Sequence, residues 1–413
     1  MAKQVLADRT GLFPQNRMNS NLLRLLGEGL VLANGDDWQR HRKVVHPAFN
    51  MDKLKIMTAT MADCAQSMVS GWEAQLQSQG KKGCHQVEIE LSGQFEELTA
   101  DVISHTAFGS SYREGKQVFE ALKELQFIAF STLFNVQIPG FRYLPTEKNR
   151  KVWKLDKEVR NTLMQIIKNR LAAKDKAGYG NDLLGLMLEA CAPERGGDQL
   201  LSMDVIIDEC KTFFFAGQET TSHLLSWTMF LLSTHPEWQQ RLREEVLREC
   251  GGRDQAPTHD MLNKLKLVSL FLLEMLRLYS PVPLIRRRTR SPVELGGITV
   301  PEDTILTIPI ATMHRDKEVW GEDASEFNPL RFDSSGGATK KGPKHLSALL
   351  AFSTGPRACI GQNFAMIEAR AVVAAILQRF ALTLSPEYVH APTDVITLRP
   401  KYGLPMIVTS FDA

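Results

Sequence analysis

A single cysteine, Cys359, lies in a ten-residue stretch whose composition suits a metal ligand. The stretch reads Phe352-Ser-Thr-Gly-Pro-Arg-Ala-Cys-Ile-Gly361. Its glycines permit turns with positive φ and a close approach of the backbone to a flat ligand. Arg357 places a cation two residues before the sulfur, which favours the thiolate, the form that binds metals. A buried free cysteine in a glycine-rich turn is the alternative, and it does not explain the arginine and the paired glycines.

The residues after this loop predict a helix from Gln362 to Phe380, because apolar side chains recur there at helical spacing. Its first amides would point back towards Cys359 and favour negative charge on the sulfur. A thiolate held beside a cationic side chain suits, as axial ligand, a porphyrin that carries carboxylates.

The apolar pattern from Ser202 to Thr234 predicts a single helix of about 30 residues that ends before His235-Pro236. Its middle contains Gly217, Glu219 and Thr220. Polar side chains in an apolar helix indicate either chemistry or a bend, and we expect Gly217 to leave space for a small ligand. A polar kink or a buried helix contact is the alternative.

Two further pairs of side chains stand at helical spacing. Trp38 and Arg42 are four residues apart, so in a helix they project from one face. Either of the preceding residues Asp36 or Asp37 can cap that helix. Glu274 and Arg277 are three apart among leucines, where an unpaired charge would be costly. For Trp38 and Arg42 the alternative is the start of an ordinary amphipathic helix. For Glu274 and Arg277 it is a pair that arises by chance.

Taken together, these motifs resemble the cytochrome P-450 family, the heme-thiolate monooxygenases, over nearly the whole chain. The resemblance implies a mainly α fold, a helical domain with a small β region, and heme between the long helix and the cysteine loop. It implies heme b, O2 and electrons from NADPH through an NADPH–cytochrome P-450 reductase. The chain looks most similar to plant microsomal members that insert one oxygen atom into fatty acids, hormones such as cytokinins, or terpenoids.

The resemblance also implies roles for individual residues. Cys359 would bind the iron, and Glu219 with Thr220 would deliver protons to the oxygen being activated. Heme contacts are implied for Trp38, Arg42, Ala216, Arg287, Phe352, Arg357 and Gly361. Substrate contacts are implied for Leu30, Phe215, Val282, Leu284 and Leu404. Glu274 and Arg277 would pair with Arg331, which is retained although Leu330 stands where the family has a glutamate.

Outside these motifs the sequence predicts organisation rather than chemistry. Short strands are expected at Val293-Glu-Leu, Ile298-Thr-Val and Thr304 to Ile310. Pro236 to Arg248 is expected to be a mainly solvated helix. Three phenylalanines at near-helical spacing are more typical of core than of a substrate cavity; they are Phe127, Phe130 and Phe134.

Composition agrees with a globular enzyme. The 413 residues are 43% hydrophobic, and a net charge of +2 gives no reason to expect nucleic acid. Six cysteines are scattered without the spacing of a zinc site or a disulfide framework. We expect a monomer whose reductase footprint includes the basic residues Arg40, Lys43, Lys341 and Lys344.

The start of the chain differs from the microsomal pattern, which begins with a membrane anchor and places the enzyme on the cytosolic face of the endoplasmic reticulum. Lys3 to Arg9 resembles the helix before a substrate-contacting loop, and Asn19 to Ala33 resembles that loop. We therefore expect residues 1–413 to form one catalytic domain without the anchor and the first sheet strands. Other hypotheses are a truncated heme-binding remnant, a heme-thiolate isomerase or dehydratase, which Thr220 disfavours, and a helical interaction protein without heme.

Overall fold

The computed structural model describes residues 1–16, 20–79, 86–132, 140–174, 178–192, 201–253, 255–333 and 348–411. Four residues named above, Asn19, Phe134, Lys341 and Lys344, lie outside these ranges, as does one of the six cysteines, Cys84. Most of the described chain is helical. The α-helices are α1 (Ala2–Leu6), α2 (Ser20–Leu26), α3 (Gly35–Val45), α4 (Met51–Gln79), α5 (Leu91–Phe108), α6 (Tyr112–Ser131), α7 (Glu147–Ala172), α8 (Leu183–Cys191), α9 (Met203–Thr234), α10 (Pro236–Cys250), α11 (His259–Leu262), α12 (Lys266–Leu278), α13 (Ile310–Met313), α14 (Lys317–Trp320) and α15 (Gln362–Leu377).

The β structure of the described residues is small and is divided among four short sheets. The strands are β1 (Gln86–Glu90), β2 (Ile285–Arg288), β3 (Val293–Leu295), β4 (Ile298–Val300), β5 (Ile305–Ile308), β6 (Phe380–Leu384), β7 (Pro392–Val395), β8 (Thr397–Pro400) and β9 (Pro405–Ser410). A three-stranded sheet has the order β1-β9-β6, and the two-stranded sheets are β2-β5, β3-β4 and β7-β8. The predicted strands near 293, 298 and 304 are therefore present, although Ile310 begins a helix.

The chain forms two compact units. One comprises Met1–Asn50, Ile103–Gln218 and Arg286–Thr307, and the other comprises Met51–Val102, Glu219–Ile285 and Ile308–Ala413. Of the five divisions of the sequence, two fall inside the helices α5 and α9, two inside the strands β2 and β5, and one directly before α4. In the second unit α15 is almost entirely buried, since twelve of its residues, Phe364 and Glu368 among them, are inaccessible.

The predicted long helix is present as α9, which runs without interruption from Met203 to Thr234. The expectation about Gly217 is wrong. A Cβ at this position would lie 2.9 Å from Cδ1 of Ile103, so the missing side chain allows α9 to pack closely on α5. Gly217 is thus explained by helix packing rather than by space for a ligand.

Several local predictions also need correction. Helix α3 begins after Asn34, which has the extended conformation of an N-cap. Asp36 and Asp37 lie in its first turn, where negative charge is favourable to the helix dipole, and Asp37 also pairs with Arg40. The segment compared with a loop contains α2, from Ser20 to Leu26. Phe127 is 45% exposed and is not core.

Helix α10 is less solvated than predicted. Arg243 and Glu245 are buried, because Arg243 donates to the carbonyls of Leu377 and Phe380 and Glu245 accepts from the first amides of α12. Its charges therefore join elements of the second unit. Within the described residues, no helix is both long and apolar enough to span a bilayer.

Candidate active site

The cysteine loop of the second unit is built from tight turns. Ser353 and Gly355 have φ of 61° and 75°, and the amide of Cys359 donates to the carbonyl of Phe352 at 2.9 Å. A 3-10 turn, Gly355–Arg357, precedes the cysteine, and α15 begins directly after Gly361. The loop therefore holds the Cys359 backbone in a closed turn while its side chain remains exposed.

The other described cysteines have a different environment. Burial raises the pKa of Cys64 to about 12 and that of Cys250 to about 11, and nearby carboxylates act in the same direction. Burial also raises the pKa of Cys210. These three sulfurs are held as thiols, so Cys359, exposed and beside Arg357, is the better candidate for a thiolate ligand.

A buried histidine anchors the segment that leads to this loop. His314 accepts a hydrogen bond on Nε2 from the amide of Leu350 at 2.8 Å, and its Nδ1 lies 3.0 Å from the carbonyl of Arg277. An acceptor at Nε2 requires the neutral ring with the proton on Nδ1. Burial lowers the pKa of His314 to about 4, which agrees with this state. Sequence reasoning missed His314, since a lone histidine carries no spacing signal.

Glu274, Arg277 and Arg331 are brought together in the core of the second unit. The Glu274 carboxylate accepts from Arg277 Nε and Nη2, both at 2.7 Å, and lies 3.5 Å from Arg331 Nε. Glu274 and Arg277 are 0% exposed. Because an unpaired charge at this depth would be costly, each group depends on the others.

Further partners complete the charge balance of this cluster. Arg331 binds the carboxylate of Asp323 at 3.0 Å and the carbonyl of Trp320 at 2.7 Å. The guanidinium of Arg331 lowers the pKa of Asp323. Asp323 was not predicted, because no helical or motif spacing relates it to Arg331. The cluster therefore contains two carboxylates and two guanidinium groups.

The candidate proton-delivery residues are on α9 in the second unit. Glu219 is 5% exposed, and its Oε1 accepts a hydrogen bond from Oγ1 of Thr397 at 2.9 Å. Nε2 of His223, one turn further on, lies 3.8 Å from the same oxygen. Thr220 is half-buried on the next position of the helix. An acid and an alcohol are thus adjacent, as the sequence predicts.

The β7-β8 hairpin presents Thr397 to α9 through an unusual turn. Val395 and Thr397 are register partners, so Ile396 alone makes the turn, with φ of 73°. A β-branched residue rarely adopts this conformation, and it costs about 1–3 kcal/mol. The turn was missed, since a β-branched residue such as Ile396 carries no turn signal. Leu404, further along the chain, is 0% exposed, and its amide donates to Glu90.

In the first unit, α3 carries Trp38 and Arg42 on one side. Both line a cleft of about 380 Å³ together with Lys43 and His46. An indole N–H and a guanidinium are donors that suit a carboxylate. Between them on the helix, buried His41 places Nδ1 2.8 Å from Glu209 Oε1 of α9 and so fixes α3. His41 was not predicted.

Arg287 of the first unit is the buried member of a basic run. It is 4% exposed and donates to Oε1 of Gln15 at 2.7 Å, whereas Arg288 pairs with the exposed carboxylate of Asp303. Burial lowers the pKa of Arg287 to about 10. Arg287 therefore differs in burial from its neighbours Arg286 and Arg288, which are half-buried.

The remaining candidate residues are placed as follows. Ala216 is half-buried in the first unit, where Leu30 and Phe215 are both 7% exposed. Val282 and Leu284 are half-buried in the second unit. Phe352 and Gly361, also half-buried, border the cysteine loop described above.

The residues present fit a heme group by the chemistry of their donors. Cys359 supplies an exposed sulfur on a closed turn, and Trp38, Arg42 and Arg287 supply donors suited to propionates.

Comparison with known proteins identifies the family of this chain. The model of the family "Cytochrome P450" matches residues 1–404. Cytochrome P-450 709B3 of Arabidopsis thaliana is 48% identical over 99% of this chain and 77% of its own length. Cytochrome P-450 CYP72A219 of Panax ginseng is 44% identical over 96% of this chain and 76% of its own. Cytochrome P-450 734A6 of Oryza sativa subsp. japonica is 43% identical over 98% and 76%. The chain therefore belongs to the cytochrome P-450 family of heme-thiolate monooxygenases.

Proposed function

We propose that this monooxygenase hydroxylates a hydrophobic small molecule: a fatty acid, a plant hormone such as a cytokinin, or a terpenoid. Electrons come from NADPH through NADPH–cytochrome P-450 reductase, and the chain acts as a monomeric catalytic domain. The observation that carries the proposal is the adjacent acid and alcohol on α9, with Glu219 buried and hydrogen-bonded to Thr397. An isomerase or dehydratase has no need of this pair.

The proposed roles of the residues follow from their donors and acceptors. When bound, heme supplies activation of O2 and transfer of one oxygen atom to the substrate. Cys359 holds it through sulfur, beside Phe352, Arg357 and Gly361 of the same loop. Trp38, Arg42 and Arg287 bind its carboxylates, and Ala216 contacts its face.

Proton delivery is assigned to α9. Glu219 is a buried carboxylate with an accepting oxygen at a fixed position, and Thr220 has a hydroxyl that can pass a proton on. The proposed substrate contacts are two half-buried apolar residues, Val282 and Leu284, and three buried ones, Leu30, Phe215 and Leu404.

The proposed reductase partner and membrane location of the enzyme follow from its exposed basic and apolar side chains. Arg40 and Lys43 are exposed on α3 and are the described part of the proposed reductase footprint. The segment with Phe141, Tyr143 and Leu144, each 48% exposed or more, suits a lipid interface. We therefore place the enzyme on the cytosolic face of the endoplasmic reticulum membrane.

Two measurements test the proposal. The carbon monoxide spectrum of the reduced protein should show the red-shifted Soret band of a thiolate ligand. Incubation with reductase, NADPH and a panel of fatty acids, cytokinins and terpenoids should yield a product that is heavier by one oxygen atom. Heme binding without any hydroxylated product would contradict the proposed reaction.

A further inference from the structure

We infer that Thr397 is a positioning residue for Glu219: its hydroxyl fixes the carboxylate from which protons are delivered. The inference rests on the proposed role of Glu219 and adds a residue from a distant part of the sequence. The hydroxyl Oγ1 donates to Glu219 Oε1 at 2.9 Å, and the two residues are 178 positions apart. Both are nearly inaccessible, with 2% of Thr397 and 5% of Glu219 exposed.

The position of Thr397 is fixed by the backbone on both sides. Before it, Ile396 turns the chain with φ of 73°, which leaves no second residue in the turn to absorb movement. After it, the carbonyl of Leu398 accepts from Nε1 of Trp227 at 3.0 Å, and the amide of Leu398 donates to the carbonyl of Pro281 at 2.9 Å. The Ile396 turn and the two hydrogen bonds of Leu398 therefore fix the backbone on both sides of Thr397, and with it the position of the hydroxyl.

One face of α9 makes the two side-chain contacts with the hairpin, through Glu219 and Trp227. Glu219, His223 and Trp227 follow at intervals of four residues and thus share one side of the helix. Trp227 is fully buried and stacks on Tyr279 with ring centroids 4.4 Å apart. The anchoring of Trp227 keeps the hairpin aligned with α9, and this alignment brings Thr397 to the carboxylate.

Backbone conformation supports a functional origin for this arrangement. A β-branched residue in the left-handed region persists only where the surroundings impose it, and such residues concentrate at functional sites. An ordinary hairpin turn would use glycine or asparagine at this position. Ile396 therefore indicates that the location of Thr397 is specified at a conformational cost.

Three variants with a matched control test the inference. Thr397→Val removes the hydroxyl at almost constant shape, Thr397→Ser retains it, and Glu219→Gln removes the charge that it binds. Thr393→Val, the same exchange on the neighbouring strand β7, is the control. Should Thr397→Val fail to fold, Thr397→Ala serves in its place.

The first readout is NADPH oxidation by the heme-loaded protein with reductase and no added substrate. Thr397→Val should slow it about tenfold, because a hydrogen bond to a charged group is lost. Thr397→Ser should restore the rate to within about twofold, and Thr393→Val should not change it. The second readout is the midpoint of thermal unfolding, in which Thr397→Val should have a smaller effect in the Glu219→Gln background than in the parent.

The outcomes separate this inference from the proposed function. A slow Glu219→Gln variant beside an unchanged Thr397→Val variant would overturn the role of Thr397 and leave that of Glu219 intact. Additive shifts of the unfolding midpoint would also overturn it. If Glu219→Gln itself oxidises NADPH at the parent rate, the proposed proton delivery fails, and the inference about Thr397 fails with it.

Discussion

Replacing Glu274 with alanine is expected to destabilise the core of the second unit strongly. The Glu274 carboxylate accepts from Arg277 Nε and Nη2 at 2.7 Å and from the amide of Asn328 at 2.9 Å. Without it the acceptors of Arg277 within the described residues are the uncharged carbonyls of His314, Ala324 and Glu326. Arg331 keeps Asp323. The variant therefore leaves one fully buried cation without a carboxylate.

The expected loss of stability follows from this one unpaired buried cation. Removal of one partner of a buried ion pair costs about 3–5 kcal/mol, a large part of a total stability of about 5–15 kcal/mol. Glu274→Gln should cost less, because the amide oxygen still accepts one bond from Arg277. The exposed pair Lys317–Glu322 provides the control, since Glu322→Ala should leave stability unchanged within error.

The assay is urea unfolding of the heme-loaded variants, followed by far-ultraviolet circular dichroism and extrapolated linearly to water. The carbon monoxide spectrum of the reduced protein measures the fraction of molecules in which heme retains the thiolate ligand. A free energy of unfolding for Glu274→Ala within about 1 kcal/mol of the parent would refute the reasoning, because a buried and unpaired guanidinium cannot be so well tolerated.

Other predictions concern the ligand, the proton path and pH. Cys359→Ser should abolish the thiolate Soret band, whereas serine at Cys64, Cys210 or Cys250 should preserve it; a thiolate band in the Cys359 variant would exclude this ligand. Thr220→Ala should bind heme normally but release more peroxide per NADPH, with product falling about 10²-fold or more, as expected for loss of a general acid group; unchanged coupling would restrict Thr220 to a structural role. The folded pKa of His314 lies below its usual 6.5, at about 4, so its contribution to stability is complete above pH 6.5 and is lost as pH falls towards 4. The loss is about 3 kcal/mol, and a His314→Gln variant with the parent's acid unfolding curve would contradict it.

The sequence allowed prediction of those features that depend on local pattern. Apolar spacing predicted α9 to within a residue at its start, and the paired charges at Glu274 and Arg277 indicated a buried contact because leucines surround them. The cysteine loop was evident from its glycines, which permit turns that other residues resist.

Features that depend on distant segments could not be predicted in this way. Gly217 indicated space, but its neighbour is Ile103, more than a hundred positions earlier. Ile396 carries no turn signal, since β-branched residues favour strands and the surroundings impose its conformation. Asp36 or Asp37 was expected to cap α3, where Asn34 is the cap, because sequence gives the residue types but not the dihedral angles.

The three-stranded sheet has a consequence for synthesis of the chain. Its central strand, β9, is the last to be made, and it pairs with β1 on one side and β6 on the other. The amide of Leu404 reaches Glu90 across 314 positions. On the ribosome β1 therefore remains without its partner strand until β9 has been translated. Closure of so long a loop is slow. During that interval chaperones have the longest access to the residues of β1, and a ribosome stalled before residue 405 would hold a nascent chain whose sheet has no centre.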